Sequence, residues 1–368
     1  MTGDEIATGD LRDSAPRIGS DLGCVAVAWT SLHQVLVAAI LQQQAWRLQT
    51  LFVCEGARIL DPLRRLADKV VALPDISYSA RSVHRYRHAA SALIEPALAR
   101  LDAFRCLTWT LENPVARFIF ARPACRSVEL FEDGTGTYID HGRFNRRLGL
   151  KYLMTRTVIN LAFPQTRGFA TTGVERDAHI CSLYPNPLPG TGTVRRPLDR
   201  DRFRQALAEA NTIQLNIPDL IPGSALFLPS PFEDFHLLTH AEEIDINAAC
   251  LRRFLATRPD SSRPVLWKPH PHANALLEAE RIEEVSRRVG VTLQPLPAEV
   301  ISEQIVLANR EIDLDIVSPA SSSIYTIKAL ENPRHRLYCV DAPLLRARIP
   351  LMADLYAFYD SIGIEVLR

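Results

Sequence analysis

The chain has 368 residues, of which 47% are hydrophobic and 23% are charged, and 42 basic residues balance 42 acidic ones. This length exceeds what one hydrophobic core normally serves, so two domains are expected. The apolar and charged fractions exclude a disordered chain and a small disulfide framework. The balanced charge argues against a protein that wraps duplex nucleic acid, so no nucleic-acid partner is expected.

The cysteine pattern and the amino-terminal segment indicate a cytoplasmic protein. Seven cysteines are scattered along the chain and never occur as CxxC, which favours a reducing compartment over a structural zinc site. The first residues are polar and acidic and lack the basic and apolar segments of a signal peptide. No apolar run reaches the roughly 18 residues that span a bilayer.

The first half of the chain alternates strands and helices. Residues 1–20 are expected to be flexible, and the apolar run that follows them predicts a strand buried on both faces. The predicted elements are, in order, strand Cys24–Trp29, helix Leu32–Trp46, strand Leu51–Cys54, helix Asp61–Asp68, strand Val70–Leu73, helix Ala80–Ala103, and strands Phe104–Trp109 and Val128–Phe131. Such alternation is typical of a parallel, doubly wound sheet.

The second half restarts the same pattern after a Pro- and Gly-containing connection, Ile213–Gly223. The predicted elements are strand Ser224–Leu228, helix Ala241–Thr257, strand Val265–Trp267, helix Ala273–Val289, strand Asp315–Val317, helix Ser322–Leu330 and strand Leu337–Val340. We therefore predict an α/β protein with two facing Rossmann-like domains of parallel sheet, 21–215 and 216–350, and a carboxy-terminal helix in 351–368.

Two adjacent carboxylates, Glu132 and Asp133, follow a predicted strand and precede Gly134. A carboxylate at the carboxyl end of a strand can face a cleft and accept a proton from a substrate hydroxyl. The alternative is an acidic turn in which glycine supplies a positive φ.

The segment Trp267–His272, WKPHPH, follows another short apolar strand. Its prolines stiffen the loop, Lys268 adds positive charge, and a protonated His270 could donate to a departing phosphate. The alternatives are a His-x-His metal site, for which no further ligands stand out nearby, and a Pro-rich surface turn.

Three hydroxyls, Ser321, Ser322 and Ser323, open a predicted helix directly after a strand. Hydroxyls and free backbone N–H groups at a helix start can bind phosphate, although serine is also common there as a structural cap. Together with the other two motifs, this turn predicts a base on one domain and a phosphate site on the domain that faces it.

A basic stretch, Arg143–Arg156, is interleaved with Phe and Leu residues. It is either a solvated helix face or a contact with an anionic acceptor or the inner membrane surface. No Gly-rich phosphate loop follows any predicted strand.

The ordered set EDG, KPHP and Ser-Ser resembles the motifs of bacterial sialyltransferases of the capsular polysialyltransferase and lipooligosaccharide sialyltransferase type. The resemblance spans most of the chain, including the strand end at Thr30 and Ser31 on the acceptor side. It implies a GT-B fold and an inverting transfer from a CMP-activated nonulosonic acid to a glycan or glycolipid of capsule or lipopolysaccharide. It implies neither a metal nor another cofactor, and it is compatible with peripheral contact with the inner membrane or with capsule assembly proteins.

The resemblance also implies roles for single residues. Asp133 matches the general base, with Glu132 and Gly134 beside it, and His270 matches the group that contacts and protonates the CMP phosphate. The remaining donor-side matches are Lys268, Pro271, Ser321, Ser322, Ser323 and, for the CMP ribose, Glu303. The extra serine leaves open which two of the three hydroxyls bind phosphate.

Two other functions remain open at this point. A transferase for Kdo or a polyol phosphate would also use His-Pro and Ser-rich loops, and CMP-Kdo shares the nucleotide. A catalytically silent CMP-sugar-binding component of a capsule assembly complex would bind CMP without turnover, and its binding would be indifferent to Asp133→Asn.

Overall fold

The structure is a computed structural model of the whole chain. It describes residues 22–74, 91–111, 113–139, 179–187, 193–210, 219–233, 237–258, 263–270 and 273–368, together with residues 154, 157, 161 and 189. The predicted flexible start, the basic stretch apart from Met154 and part of the predicted helix at 80–103 lie outside the described residues.

The first domain is built on a seven-stranded parallel sheet with the order β3-β2-β1-β4-β5-β6-β7. Its strands are β1 Gly23–Ala28, β2 Leu48–Cys54, β3 Ala67–Leu73, β4 Phe104–Thr108, β5 Cys125–Phe131, β6 His179–Ser182 and β7 Val194–Pro197. All six residues of β1 are buried, as expected for a central strand covered by helices on both faces.

The helices of this domain are α1 Ser31–Gln44, α2 Asp61–Leu66, α3 91–98, α4 Pro114–Phe120, a 3₁₀ turn Gly134–Tyr138 and α5 Arg200–Ala210. Two of them, α1 and α4, begin at residues whose side chains cap them. The Thr30 hydroxyl accepts the backbone N–H of His33 to begin α1, and the Asn113 side chain accepts two backbone N–H groups to begin α4.

The second domain repeats this plan with a six-stranded parallel sheet of order β10-β9-β8-β11-β12-β13. Its strands are β8 Ser224–Phe227, β9 Val265–Trp267, β10 Leu293–Pro295, β11 Leu314–Ser318, β12 His335–Val340 and β13 Glu365–Leu367. Its helices are α6 His240–Thr257, α7 Ala275–Val289, α8 Ser302–Ala308, α9 Ser323–Lys328, α10 Pro343–Arg348 and α11 Met352–Ser361. Thr239 and Glu242 form a reciprocal capping box at the start of α6.

Each sheet reverses its strand order once, between β1 and β4 and between β8 and β11. Ligands of open parallel sheets bind outside the carboxyl ends of the strands at such reversal points. The predicted fold is confirmed: the chain forms two Rossmann-like α/β domains with parallel sheets, a GT-B architecture.

Four aromatic residues, here called the aromatic seam, join the domains: Tyr138, Tyr184, Tyr325 and Phe358. The rings of Tyr138 and Phe358 are stacked with centroids 4.2 Å apart, and the Tyr184 hydroxyl donates to the Tyr325 carbonyl at 2.9 Å. Tyr138 directly follows the EDG loop, and Tyr325 lies in the helix opened by the serines. The seam therefore holds these two motifs beside each other.

In the part of the chain that the structure describes, no helix combines the length and apolar character that crossing a bilayer requires.

Candidate active site

The EDG motif leaves β5 and places its two carboxylates in different environments. The Glu132 side chain is fully buried, whereas that of Asp133 is 52% exposed. Successive residues of an extended segment point to opposite sides, so one carboxylate enters the core as the other faces outward. The accessible carboxylate is Asp133, the residue that the family resemblance implies as the base.

Glu132 is held by neighbours inside the first domain. Its Oε2 accepts the backbone N–H of Leu183 at 3.1 Å and the hydroxyl of Tyr138. Burial is the main cause that raises the pKa of Glu132 to about 7, and these hydrogen bonds to the carboxylate oppose the rise. Because Tyr138 belongs to the aromatic seam, Glu132 links the EDG loop to the domain junction.

Asp133 has a partner that the sequence analysis missed. His33, in the first turn of α1, lies with Nε2 3.1 Å from Asp133 Oδ1. The two residues are 100 positions apart, and the helical pattern of Leu32–Trp46 contained no signal that this histidine faces the EDG loop.

The His33 ring is enclosed by the ends of three adjacent strands. It stacks on Trp109 with centroids 4.7 Å apart and meets the edge of Phe131 at 5.3 Å. The backbone N–H of Trp29 donates to His33 Nδ1 at 3.4 Å, so Nδ1 is an acceptor and the proton of the neutral ring is on Nε2. That proton points to Asp133.

The remaining predicted acceptor-side residues also lie at this edge. Thr30 uses its hydroxyl to cap α1, and Ser31 is the first residue of that helix, partly exposed. Gly134 has φ +59°, and a Cβ there would lie 3.4 Å from Cβ of Ser322 in the second domain. A side chain at position 134 would therefore be in van der Waals contact with the serine turn, which faces the EDG loop across the cleft.

Lys268, the residue after β9, is buried rather than exposed, with a relative exposure of 3%. Its Nζ donates to the carbonyls of Pro269 at 2.6 Å and Ala298 at 3.1 Å, which leaves one of three N–H donors for another partner. Burial lowers the pKa of Lys268 to about 8, and the nearby Glu303 opposes this. The ammonium thus supports the loop from beneath.

His270 lies two residues after Lys268 and is partly exposed. Its carbonyl accepts the backbone N–H of Ala273 at 3.0 Å, which closes the loop before α7. Pro271 and His272 lie outside the described residues.

The three serines differ in what they contact. The Ser321 hydroxyl accepts the backbone N–H of Ser323 at 3.3 Å, and the Ser323 hydroxyl is hydrogen-bonded to Glu303. Ser322 precedes α9 without a side-chain capping bond and is the serine that faces Gly134. Its hydroxyl therefore lies on the side of the turn that faces the EDG loop.

Glu303, the predicted ribose ligand, is 1% exposed. Its carboxylate accepts the Thr326 hydroxyl, and burial raises its pKa while these hydroxyl donors oppose the rise. In this arrangement Glu303 anchors the serine turn and lies near the Lys268 ammonium.

The site thus brings an accessible carboxylate of the first domain against a hydroxyl-bearing turn of the second. A buried ammonium lies beneath the neighbouring loop. Within the described residues, no group of three or more His, Cys, Asp or Glu side chains is arranged to hold a metal ion. The carboxylate in such a site can deprotonate an alcohol. The hydroxyls and the cation can stabilise the charge of a departing anion.

This fold and site define a glycosyltransferase of the sialyltransferase type. The family model of the alpha-2,8-polysialyltransferases matches residues 112–340, more than half of the chain and all three motifs. The chain belongs to the alpha-2,8-polysialyltransferase family. The resemblance predicted from the motifs is confirmed.

Solved structures similar to this chain have low sequence identity. A putative UDP-N-acetylglucosamine 2-epimerase from Listeria monocytogenes is 11% identical, with a TM-score of 0.45 over 89% of this chain and 82% of that one. The UDP-GlcNAc 2-epimerase from Neisseria meningitidis, bound to UDP-GlcNAc, is 10% identical, with a TM-score of 0.43 over 92% and 91%. A glycosyltransferase from Rickettsia africae is 10% identical, with a TM-score of 0.44 over 93% and 89%. No curated protein matches the chain.

Proposed function

We propose that the protein transfers a sialic acid or a related nonulosonic acid from its CMP-activated form to a glycan hydroxyl of capsule or lipopolysaccharide. The observation that carries the proposal is the proximity of the EDG loop to the serine turn, where Gly134 faces Ser322. This arrangement places a half-exposed carboxylate, Asp133, in the loop that faces the turn associated with the donor phosphate by the family resemblance.

In the proposed reaction, the acceptor oxygen attacks the anomeric carbon of the donor sugar and the bond from that carbon to the CMP phosphate breaks. The acceptor proton passes to Asp133, on the face opposite the leaving group, so that the configuration inverts. His270 donates a proton or hydrogen bond to the departing phosphate.

The leaving group is a phosphate monoester, whose developing charge needs preorganised donors. We assign this role to Ser322 and to the remaining Nζ–H of Lys268, with Glu303 and Ser323 holding the turn. Positive charge from Lys268 and His270 is proposed in place of a divalent cation. The proposed location is the cytoplasm, at the inner face of the inner membrane, and the seven free cysteines support a reducing compartment.

The test is a donor and acceptor screen with the purified protein in EDTA, following CMP release and glycoside formation. CMP-N-acetylneuraminic acid and CMP-Kdo are the competing donors, and wild type runs beside Asp133→Asn and His270→Ala. Product from the nonulosonate donor with wild type, and its loss in both variants, is the expected result. Turnover of CMP-Kdo alone would show that the donor sugar is Kdo and not a nonulosonic acid of the sialic acid type. CMP binding without any turnover would contradict an enzymatic role.

A further inference from the structure

We propose that His33 is a positioning residue that fixes the carboxylate of Asp133 for proton transfer. The inference rests on the proposed function, in which Asp133 is the base. His33 Nε2 lies 3.1 Å from Oδ1 of Asp133, and Oδ2 has no hydrogen bond to any of the described residues. One carboxylate oxygen is thus held by the imidazole while the other is directed to an acceptor hydroxyl.

The exposure of the two side chains decides which of them meets the substrate. The side chain of His33 is 7% exposed and that of Asp133 is 52% exposed. An acceptor sugar can therefore reach the carboxylate and not the imidazole. Asp133 thus lies between the substrate and His33, so His33 acts through Asp133.

The imidazole can hold Asp133 because its own position is fixed from several directions. Trp109 stacks on one face and the edge of Phe131 closes a second side. The Trp29 N–H occupies Nδ1, which places the proton on the nitrogen that faces Asp133. A donor whose rotamer and tautomer are both set before substrate arrives lowers the orientational cost of the reaction.

The pair also ties together three strand ends. Trp29 follows β1, Trp109 follows β4, and Asp133 follows β5. These strands are neighbours in the sheet order β1-β4-β5. His33 therefore sets the EDG loop against the strand reversal point rather than against another loop.

The experiment compares His33→Phe, which keeps the aromatic stack and removes the donor, with His33→Gln, which offers an N–H near the Nε2 position. We expect kcat of His33→Phe to fall about 10- to 100-fold, the effect of a displaced catalytic group, with unchanged CMP affinity by calorimetry. His33→Gln should recover most of this loss. His335→Phe replaces a similarly buried histidine of the second domain, with a whole-residue exposure of 7% against 5% for His33, and should leave kcat unchanged.

A double-mutant cycle with Asp133→Asn separates positioning from general destabilisation. If His33 acts through Asp133, adding His33→Phe to Asp133→Asn should lower kcat little further, because both changes remove the contribution of the positioned base. Multiplicative losses, or full activity of His33→Phe, would overturn the inference. Full activity of Asp133→Asn would instead overturn the proposed base, so the two failures are distinguishable.

Discussion

The two walls of the cleft offer opposite kinds of chemistry. The wall of the first domain presents the carboxylate of Asp133, backed by the imidazole of His33. The wall of the second domain presents the hydroxyl of Ser322, with the Lys268 ammonium beneath the neighbouring loop. One wall is suited to accepting a proton and the other to receiving a negative charge. The difference teaches that the two proposed roles, acceptance of a proton and stabilisation of a negative charge, are assigned to separate domains.

The walls nevertheless share one construction. Each has a buried glutamate directly behind its exposed polar group, Glu132 in the first domain and Glu303 in the second. Each glutamate accepts a hydroxyl, from Tyr138 and from Thr326 respectively, and burial raises the pKa of both. The buried carboxylates brace the loops, so accessible chemistry and structural support are held by different residues.

The largest expected effect is that of Asp133→Asn, which removes the base and nearly preserves the shape. The rate of the chemical step should fall about 10²- to 10⁴-fold, the usual contribution of general base catalysis, while CMP binding stays at the wild-type value. Single-turnover rates and calorimetry check the two quantities. Asp68→Asn, at a 48% exposed aspartate on β3, is the matched control, and a loss of CMP affinity in Asp133→Asn would break the division between the walls.

Lys268→Met should act on the other wall. Loss of the ammonium is expected to weaken donor affinity about 10- to 100-fold, as for one charge-assisted hydrogen bond, with a smaller change in kcat. The donor KM and the CMP affinity by calorimetry measure this, and the exposed Lys69→Met is the control. A fall confined to kcat would contradict the assignment.

The same lysine predicts a pH dependence. Its pKa is lowered to about 8, so it is protonated below pH 8 and loses its charge as the pH rises through that value. Wild-type kcat/KM for the donor should therefore decline above pH 8, since this parameter reports the free enzyme. Lys268→Met should lack the decline that wild type shows.

Glu132→Gln tests whether the buried carboxylate behind Asp133 contributes to stability and how that contribution depends on pH. The folded-state pKa of Glu132, about 7, is above its ordinary value of 4.5. Its contribution to stability is therefore complete below pH 4.5 and is lost as the pH rises to 7. The difference in unfolding free energy between Glu132→Gln and wild type should grow by about 2–3 kcal/mol across this window in favour of the variant. Denaturant titrations at several pH values measure it, with the exposed Glu55→Gln controlling for the lost surface charge.

The smallest expected effect on catalysis is that of Gly134→Ala. Gly134 and Gly56 both have a positive φ, +59° and +79°, but only the Gly134 position has an atom within 4 Å of an added Cβ. Both alanine variants should lose about 1–2 kcal/mol of unfolding free energy, the cost of a left-handed conformation for a residue with a Cβ. Only Gly134→Ala should also lower the transfer rate, because its methyl group occupies the space toward Ser322. Equal transfer rates in the two variants would contradict a functional role for the close approach of the EDG loop to the serine turn.

The sequence predicted the central strands β1, β4 and β8 and one edge strand, β3, but not β6 or the edge strands β7, β10 and β13. Strand β1 was recognisable because its run of apolar residues is continuous, as expected for burial on both faces. The edge strands β10 and β13 have only three residues each and carry polar or proline residues, so they gave no periodic signal. Their positions depend on backbone pairing with a neighbour, which one sequence does not reveal.

The candidate site was predictable in its motifs and not in its contacts. Asp133 and the serines could be found because each follows an apolar strand. The pairing of His33 with Asp133 could not, because it depends on a helix start and a loop 100 residues apart meeting at one sheet edge. The orientation of Lys268 likewise needed the structure, since a lysine after a strand is normally solvated and this one donates to two carbonyls.

The end of the chain has a consequence for how truncated forms of the protein behave. Phe358 of α11 stacks on Tyr138 of the first domain, the Tyr359 hydroxyl donates to the Ser321 carbonyl at 2.9 Å, and β13 completes the second sheet. Deleting residues 352–368 would thus remove no proposed catalytic group and still release both the EDG loop and the serine turn. If a shortened or carboxy-terminally fused form is inactive, the cause would be lost support of these two loops and not the loss of a catalytic side chain. An amino-terminal affinity tag therefore suits functional assays of this protein.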